Sequence, residues 1–184
     1  MRTPSGNKVY GMGAEFPSAS ALYEAAKRVR DAGFKRWDVH SPFPIHGMDA
    51  AMGLGKSWLS SFVLAGGITG LLTAVILEFG PSWFIYPLVV HGKPVDWRTV
   101  PAFFPIMFEL TVLFSAFTAF FAMLIMNGLP RWYHPVFNWR RFSRATNDGF
   151  FLIIEARDPR FTEVEARELL EQSGGTHVTV IHED

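Results

Sequence analysis

The sequence predicts an α+β domain interrupted by a pair of membrane-crossing helices. Two long apolar runs occupy the middle of the chain, and a strand–helix–strand pattern lies on either side of them. The 184 residues suffice for one domain of ordinary size. Formal net charge is zero, so no bulk field draws the chain to nucleic acid or to an anionic surface. There is no cysteine, which excludes disulfides, thiolate zinc sites, cysteine-ligated iron–sulfur clusters and covalent c-type haem attachment. The opening stretch MRTPSGNKVYGMGAEF lacks an apolar core of signal-peptide length, so no cleaved signal is expected.

The first half covers residues 1–55. KVYGMGAEF, from Lys8, reads as a strand. SASALYEAAKRVRDAG reads as a helix with Leu22, Ala25, Ala26 and Val29 on its apolar face and Gly33 as its stop. KRWDVHSPF, from Lys35 to Phe43, reads as a second strand. A strap follows, SPFPIHGMDAAMGLGKSW. Pro42 and Pro44 hold it extended and lower its entropy. Phe43, Ile45 and His46 are its candidate contacts with a partner or the headgroup layer, and Gly47 turns it into a short amphipathic segment.

The hairpin covers residues 56–126, with spans at about 57–79 and 100–126. At 1.5 Å per residue each covers roughly 30–40 Å, enough for a hydrocarbon core of about 30 Å. The first span carries Gly66 and Gly70, a small-xxx-small pair that admits a close helix backbone. The second carries Thr111, Ser115 and Thr118 on one face, continued by Ala122. These two small faces meet each other or a partner. The loop GPSWFIYPLVVHGKPVDWRT reads as interfacial, its aromatics at headgroup level. Lys56, Arg131, Arg140, Arg141 and Arg144 flank the terminal sides, against Lys93 and Arg98 in the loop. That bias places both termini in the cytoplasm.

Residues 127–149 read as an interfacial linker. Arg131, Trp132, Arg140 and Arg141 suit a stretch at the lipid headgroups, with Tyr133 and Trp139 beside them. The second half covers residues 150–184. GFFLIIEA is a strand, and TEVEARELLEQSGG is a helix with Thr162 and Glu165 as a capping box. THVTVIHE is the closing strand. Neither half buries its helix and strands well alone. Joined, they give the βαββαβ pattern of a ferredoxin-like cytoplasmic domain, with the transmembrane hairpin inserted between strands 2 and 3.

Glu109 is the candidate for chemistry. An ionisable group about ten residues into a span faces a partner or a wet cavity. It reads either as part of a proton path or a quinone pocket, or as a protonated or hydrogen-bonded carboxyl that joins helices. Glu78 lies at the far membrane boundary. The six histidines all lie outside the spans, so the chain supplies no axial ligands for a haem between them. YGMGAEF has only G-x-G and opens no phosphate loop, and no nucleophile elbow is visible. The expected catalytic, cofactor and metal residues are therefore none.

The stretches VHSPFPIHGMDAAMGLGKSW, GGITG, YPLVVHGKPVDW, PAFFPIMFEL, NGLPRWYHP and DGFFLIIEA run along nearly the whole chain. Together they resemble the small two-span D subunit of bacterial alternative complex III, a quinol:electron acceptor oxidoreductase. The resemblance implies an accessory subunit with no catalytic residues of its own. It also implies haem c and iron–sulfur clusters in partner subunits, large polytopic and redox partners, phospholipid contacts and no nucleic acid. The implied location is the bacterial inner membrane. The other function class left open is a stand-alone membrane-tethered sensor whose domain binds a small metabolite, since fold alone does not decide function.

Overall fold

The structure, a computed structural model, describes residues 8–87, 89, 91, 92 and 96–183. Lys93, counted above in the loop charge, lies outside the described residues. The chain forms two compact units. One joins the residues up to Gly55 with those from Trp132 onward, and the other is Lys56–Arg131.

The first unit contains strands β1 (Val9–Phe16) and β2 (Trp37–His40) around helix α1 (Ala19–Asp31). After β2 comes the single-turn helix α2 (Met48–Met52). The second unit contributes α3 (Leu59–Phe79) and α4 (Val100–Met126). The first unit then resumes with β3 (Phe150–Glu155), α5 (Glu163–Gln172) and β4 (Thr176–His182). The strands form one sheet in the order β2-β3-β1-β4, antiparallel at every neighbour. Gly13 faces Ile153 across the β1–β3 pair, and Val39 faces Leu152 across β2–β3.

Helices α1 and α5 start where the sequence provides a cap. Ser18 Oγ accepts from the Ala21 N–H at 3.2 Å, and Thr162 Oγ1 accepts from the Glu165 N–H at 3.3 Å. The expected apolar face of α1 is buried in full: Leu22, Ala25, Ala26 and Val29. They pack with Met12, Ala14 and Phe16 of β1 and with Leu152 and Ile154 of β3. α5 closes the same core with Ala166 and Leu170. The period of two along the strands turns the alternate residues to the opposite face.

That opposite face carries Tyr10, Phe151, Ile153 and Ile181, and it too is covered. Two 3-10 segments, Pro135–Asn138 and Arg140–Thr146, lay Val136, Trp139 and Ala145 over it. The physical cause is the near-continuous apolar run of β3, which presents large side chains to both faces and leaves both in need of cover. A Cβ on Gly13 would come within 2.6 Å of the Trp139 ring, so glycine makes room for that indole. Trp139, expected among the headgroup aromatics, is thus a core residue, 7% exposed.

The two sequence halves are tied through Asp158. Its carboxylate accepts from the backbone N–H groups of Lys35 (2.6 Å), Arg36 (2.7 Å) and Arg160 (2.8 Å). Burial pushes its pKa up, but these three N–H donors together outweigh burial and hold it below the usual carboxylate value. The expected second strand to Phe43 ends at His40 instead. Prolines at 42 and 44 supply no N–H for a ladder, and the Ser41 hydroxyl turns back to donate to the Phe43 carbonyl at 2.6 Å.

In the second unit, α3 continues without a break into a π-helical turn, Gly80–Ile85, a stretch read above as loop. The segments Leu59–Ile85 and Trp97–Met126 are long and apolar enough to cross a membrane.

Candidate functional site

The candidate site is a docking surface, and its frame is the seam between α3 and α4. Gly66 lies directly against the Thr118 side chain, and Gly70 against the Leu110 carbonyl. A Cβ on Gly67 would meet the Ser115 hydroxyl at 2.7 Å. The glycines therefore let the two backbones approach closely. Two of the seam hydroxyls are satisfied within α4. Thr111 donates to the Met107 carbonyl at 2.6 Å and Ser115 to the Thr111 carbonyl at 2.8 Å.

Glu109 stands on the other side of α4. It is exposed, and it makes no hydrogen bond or ion pair among the described residues. It lies nine residues beyond Val100, about 14 Å along the axis at 1.5 Å per residue. An unpartnered ionisable side chain at such depth costs on the order of 3 kcal/mol. Glu78, near the end of α3, is buried at 8% exposure, and neither carboxyl oxygen has a hydrogen-bond partner among the described residues.

The strap is divided in its contacts. Ile45 packs on the helix-side core of its own unit, followed by Met48 and Ala51 of α2. Phe43 meets Phe150 edge-on at 5.6 Å yet stays half exposed, and Pro44 and His46 are exposed. Pro42, Phe43 and Pro44 form one wall of an open groove of about 690 Å³, with Phe137 and Phe142 opposite. His40 lines it and meets Phe142 edge-on at 4.9 Å. Burial holds the His40 imidazole below its ordinary pKa, and nearby Asp38 pulls the other way.

Of the basic residues expected at headgroups, Arg131 and Arg140 are exposed, as is Trp132. Arg141 is engaged in its own unit: its Nε donates to Glu15 Oε2 at 2.7 Å. Arg144 donates to the other Glu15 oxygen at 2.7 Å and pairs with Asp148 at 2.6 Å. The Arg144 guanidinium holds the Asp148 carboxyl below its usual value. Glu15, near the end of β1, is thus a buried carboxylate clamped by two guanidiniums that pin the 3-10 cover to the sheet. Sequence reasoning did not assign this role. The available signal was a lone acid in an apolar strand and a run of arginines with nothing acidic beside it until Asp148.

Comparison with known proteins gives one family. A family model described as alternative complex III, ActD subunit, matches residues 10–180. No curated protein matches the chain. The chain belongs to the alternative complex III ActD subunit family.

Proposed function

We propose that this alternative complex III subunit is a non-catalytic integral membrane subunit of a respiratory quinol:electron acceptor oxidoreductase. It stabilises the assembly from the bacterial inner membrane. The observation that carries this reading is a contrast in completeness. One unit meets the needs of its buried carboxylates internally, whereas the hairpin presents an α4 with no buried residue and an unpartnered carboxyl. A surface of that kind needs neighbours, which a multisubunit complex supplies.

Several finer readings accompany it. The strand order β2-β3-β1-β4, with a helix between β1 and β2 and another between β3 and β4, supports a ferredoxin-like domain. The position of α3 and α4 between β2 and β3 supports the hairpin being an insertion in it. The Lys and Arg bias supports both termini facing the cytoplasm. Haem c and iron–sulfur centres belong to the partner subunits in this reading. Exposed Arg131 and Trp132 meet phospholipid headgroups.

The test is a strain without this chain. The redox subunits are expected to be made and to carry haem, while the complex fails to survive detergent extraction and loses quinol oxidation. Re-expression restores both. A complex that assembles fully from the other subunits, yet does not oxidise quinol, would assign this chain a part in the chemistry and overturn the reading.

A further inference from the structure

We infer that the Glu109 face of α4 docks a membrane helix of a partner subunit, and that this helix presents a hydrogen-bonding side chain at the level of Glu109. This rests on the reading of the chain as a subunit of a larger membrane complex. Glu109 is exposed on the surface of α4 turned away from the seam, and Pro105, Val112 and Ala116 share its stripe at helical spacing. α3 cannot serve the carboxyl, because the α4 residues it meets are Leu110, Thr111, Phe114, Ser115 and Thr118, on the opposite side.

Two outer hydroxyls within the α3 span are already satisfied. Thr69 donates to the Ala65 carbonyl at 2.9 Å and Thr73 to the Thr69 carbonyl at 2.8 Å. Glu109 has no such local partner: among the described residues its carboxyl meets neither a donor nor an acceptor of this chain, and helix N–H groups at mid-helix are already committed to the ladder. About 14 Å of helix separates it from Val100, beyond the reach of a short side chain toward water. The hydrogen-bonding partner therefore comes from outside the chain. The stripe beside it suits that approach. Pro105 and Ala116 leave low relief along the stripe, while Ile106, Val112 and Leu113 flank the carboxyl with exposed aliphatic surface and Phe104, Phe108 and Phe117 project to the sides.

The test uses the complex extracted through a tag on this chain. Glu109→Leu is expected to insert at least as well as the natural residue, because leucine is favoured in a span, and yet to retain the partner subunits at least tenfold less. Glu109→Gln keeps an accepting carbonyl and is expected to retain them. A photo-crosslinking residue in place of Val112, one turn along, is expected to couple to a polytopic subunit. Equal retention by the leucine variant, or coupling of position 112 only to lipid or to a second copy of this chain, overturns the inference while leaving the subunit reading intact. Failure of the unsubstituted chain to bring down any partner would instead defeat the subunit reading itself.

Discussion

Glu15 and Glu109 both stand on apolar elements, and their surroundings differ completely. Glu15 lies in a buried strand and receives two guanidiniums from the segment that covers the sheet. Glu109 lies in an apolar helix and receives nothing from this chain among the described residues. In the sheet unit, both faces of the sheet are covered and Asp158 has three backbone donors. In the hairpin, close packing is confined to the seam. The difference teaches that one chain can hold a unit that finishes its own folding beside a unit whose polar chemistry is completed elsewhere.

The contrast breaks most sharply at Phe151. It is fully buried between Trp139 at 5.1 Å and Phe142 at 5.6 Å. Phe151→Ala is expected to cost the sheet unit about 3–5 kcal/mol. Thermal unfolding followed by tryptophan fluorescence measures that loss, and the apolar hairpin should remain helical by circular dichroism after the sheet has melted.

The converse substitution is Gly70→Leu, which forces a side chain onto the Leu110 carbonyl. Overpacking of this kind costs about 1–3 kcal/mol and acts on the hairpin alone. The natural chain has no cysteine, so cysteines placed at Gly67 and Ser115 report the seam cleanly. Their oxidative coupling should be lost in the Gly70→Leu background, with no change in the melting of the sheet unit.

A smaller effect is expected for Glu15→Gln. Loss of two charge-assisted bonds would ordinarily cost more, but Arg141 and Arg144 are each about 40% exposed, and screening reduces the loss to about 1–2 kcal/mol. A double-mutant cycle with Arg141→Ala should be non-additive, because both changes remove the same bond. The last effect depends on pH. The folded pKa of Asp158 lies below its unfolded value, so its contribution is whole above the ordinary carboxylate value of about 3.9 and is lost as pH falls through the lower folded value. Asp158→Asn should lower stability at neutral pH, where that contribution is whole, and flatten the acid limb of the stability–pH curve.

Much of this was legible because it is local. The apolar periodicity of α1, the capping box of α5 and the length of the two apolar runs each depend on residues within a few turns. The glycine and hydroxyl stripes were also readable, since helical spacing places them on defined faces. The cover of the second sheet face was not. Trp139 and Arg141 belong to an aromatic and basic stretch that would suit a headgroup layer equally well. Only the pairing of Glu15 with residues more than a hundred positions away, and the gap left by Gly13, send that stretch onto the sheet. The helical turn at Gly80–Ile85 was not legible either, because its glycine and proline argue for a loop.

The most direct measurement is extraction of this chain from membranes in mild detergent through a tag, followed by a visible spectrum and a subunit gel. Haem absorbance with several large co-purifying chains is the predicted result, because the hairpin is completed by its neighbours. A single colourless band that persists across gentle detergents would contradict the account, and a ligand screen of a stand-alone sensor would then be the next step.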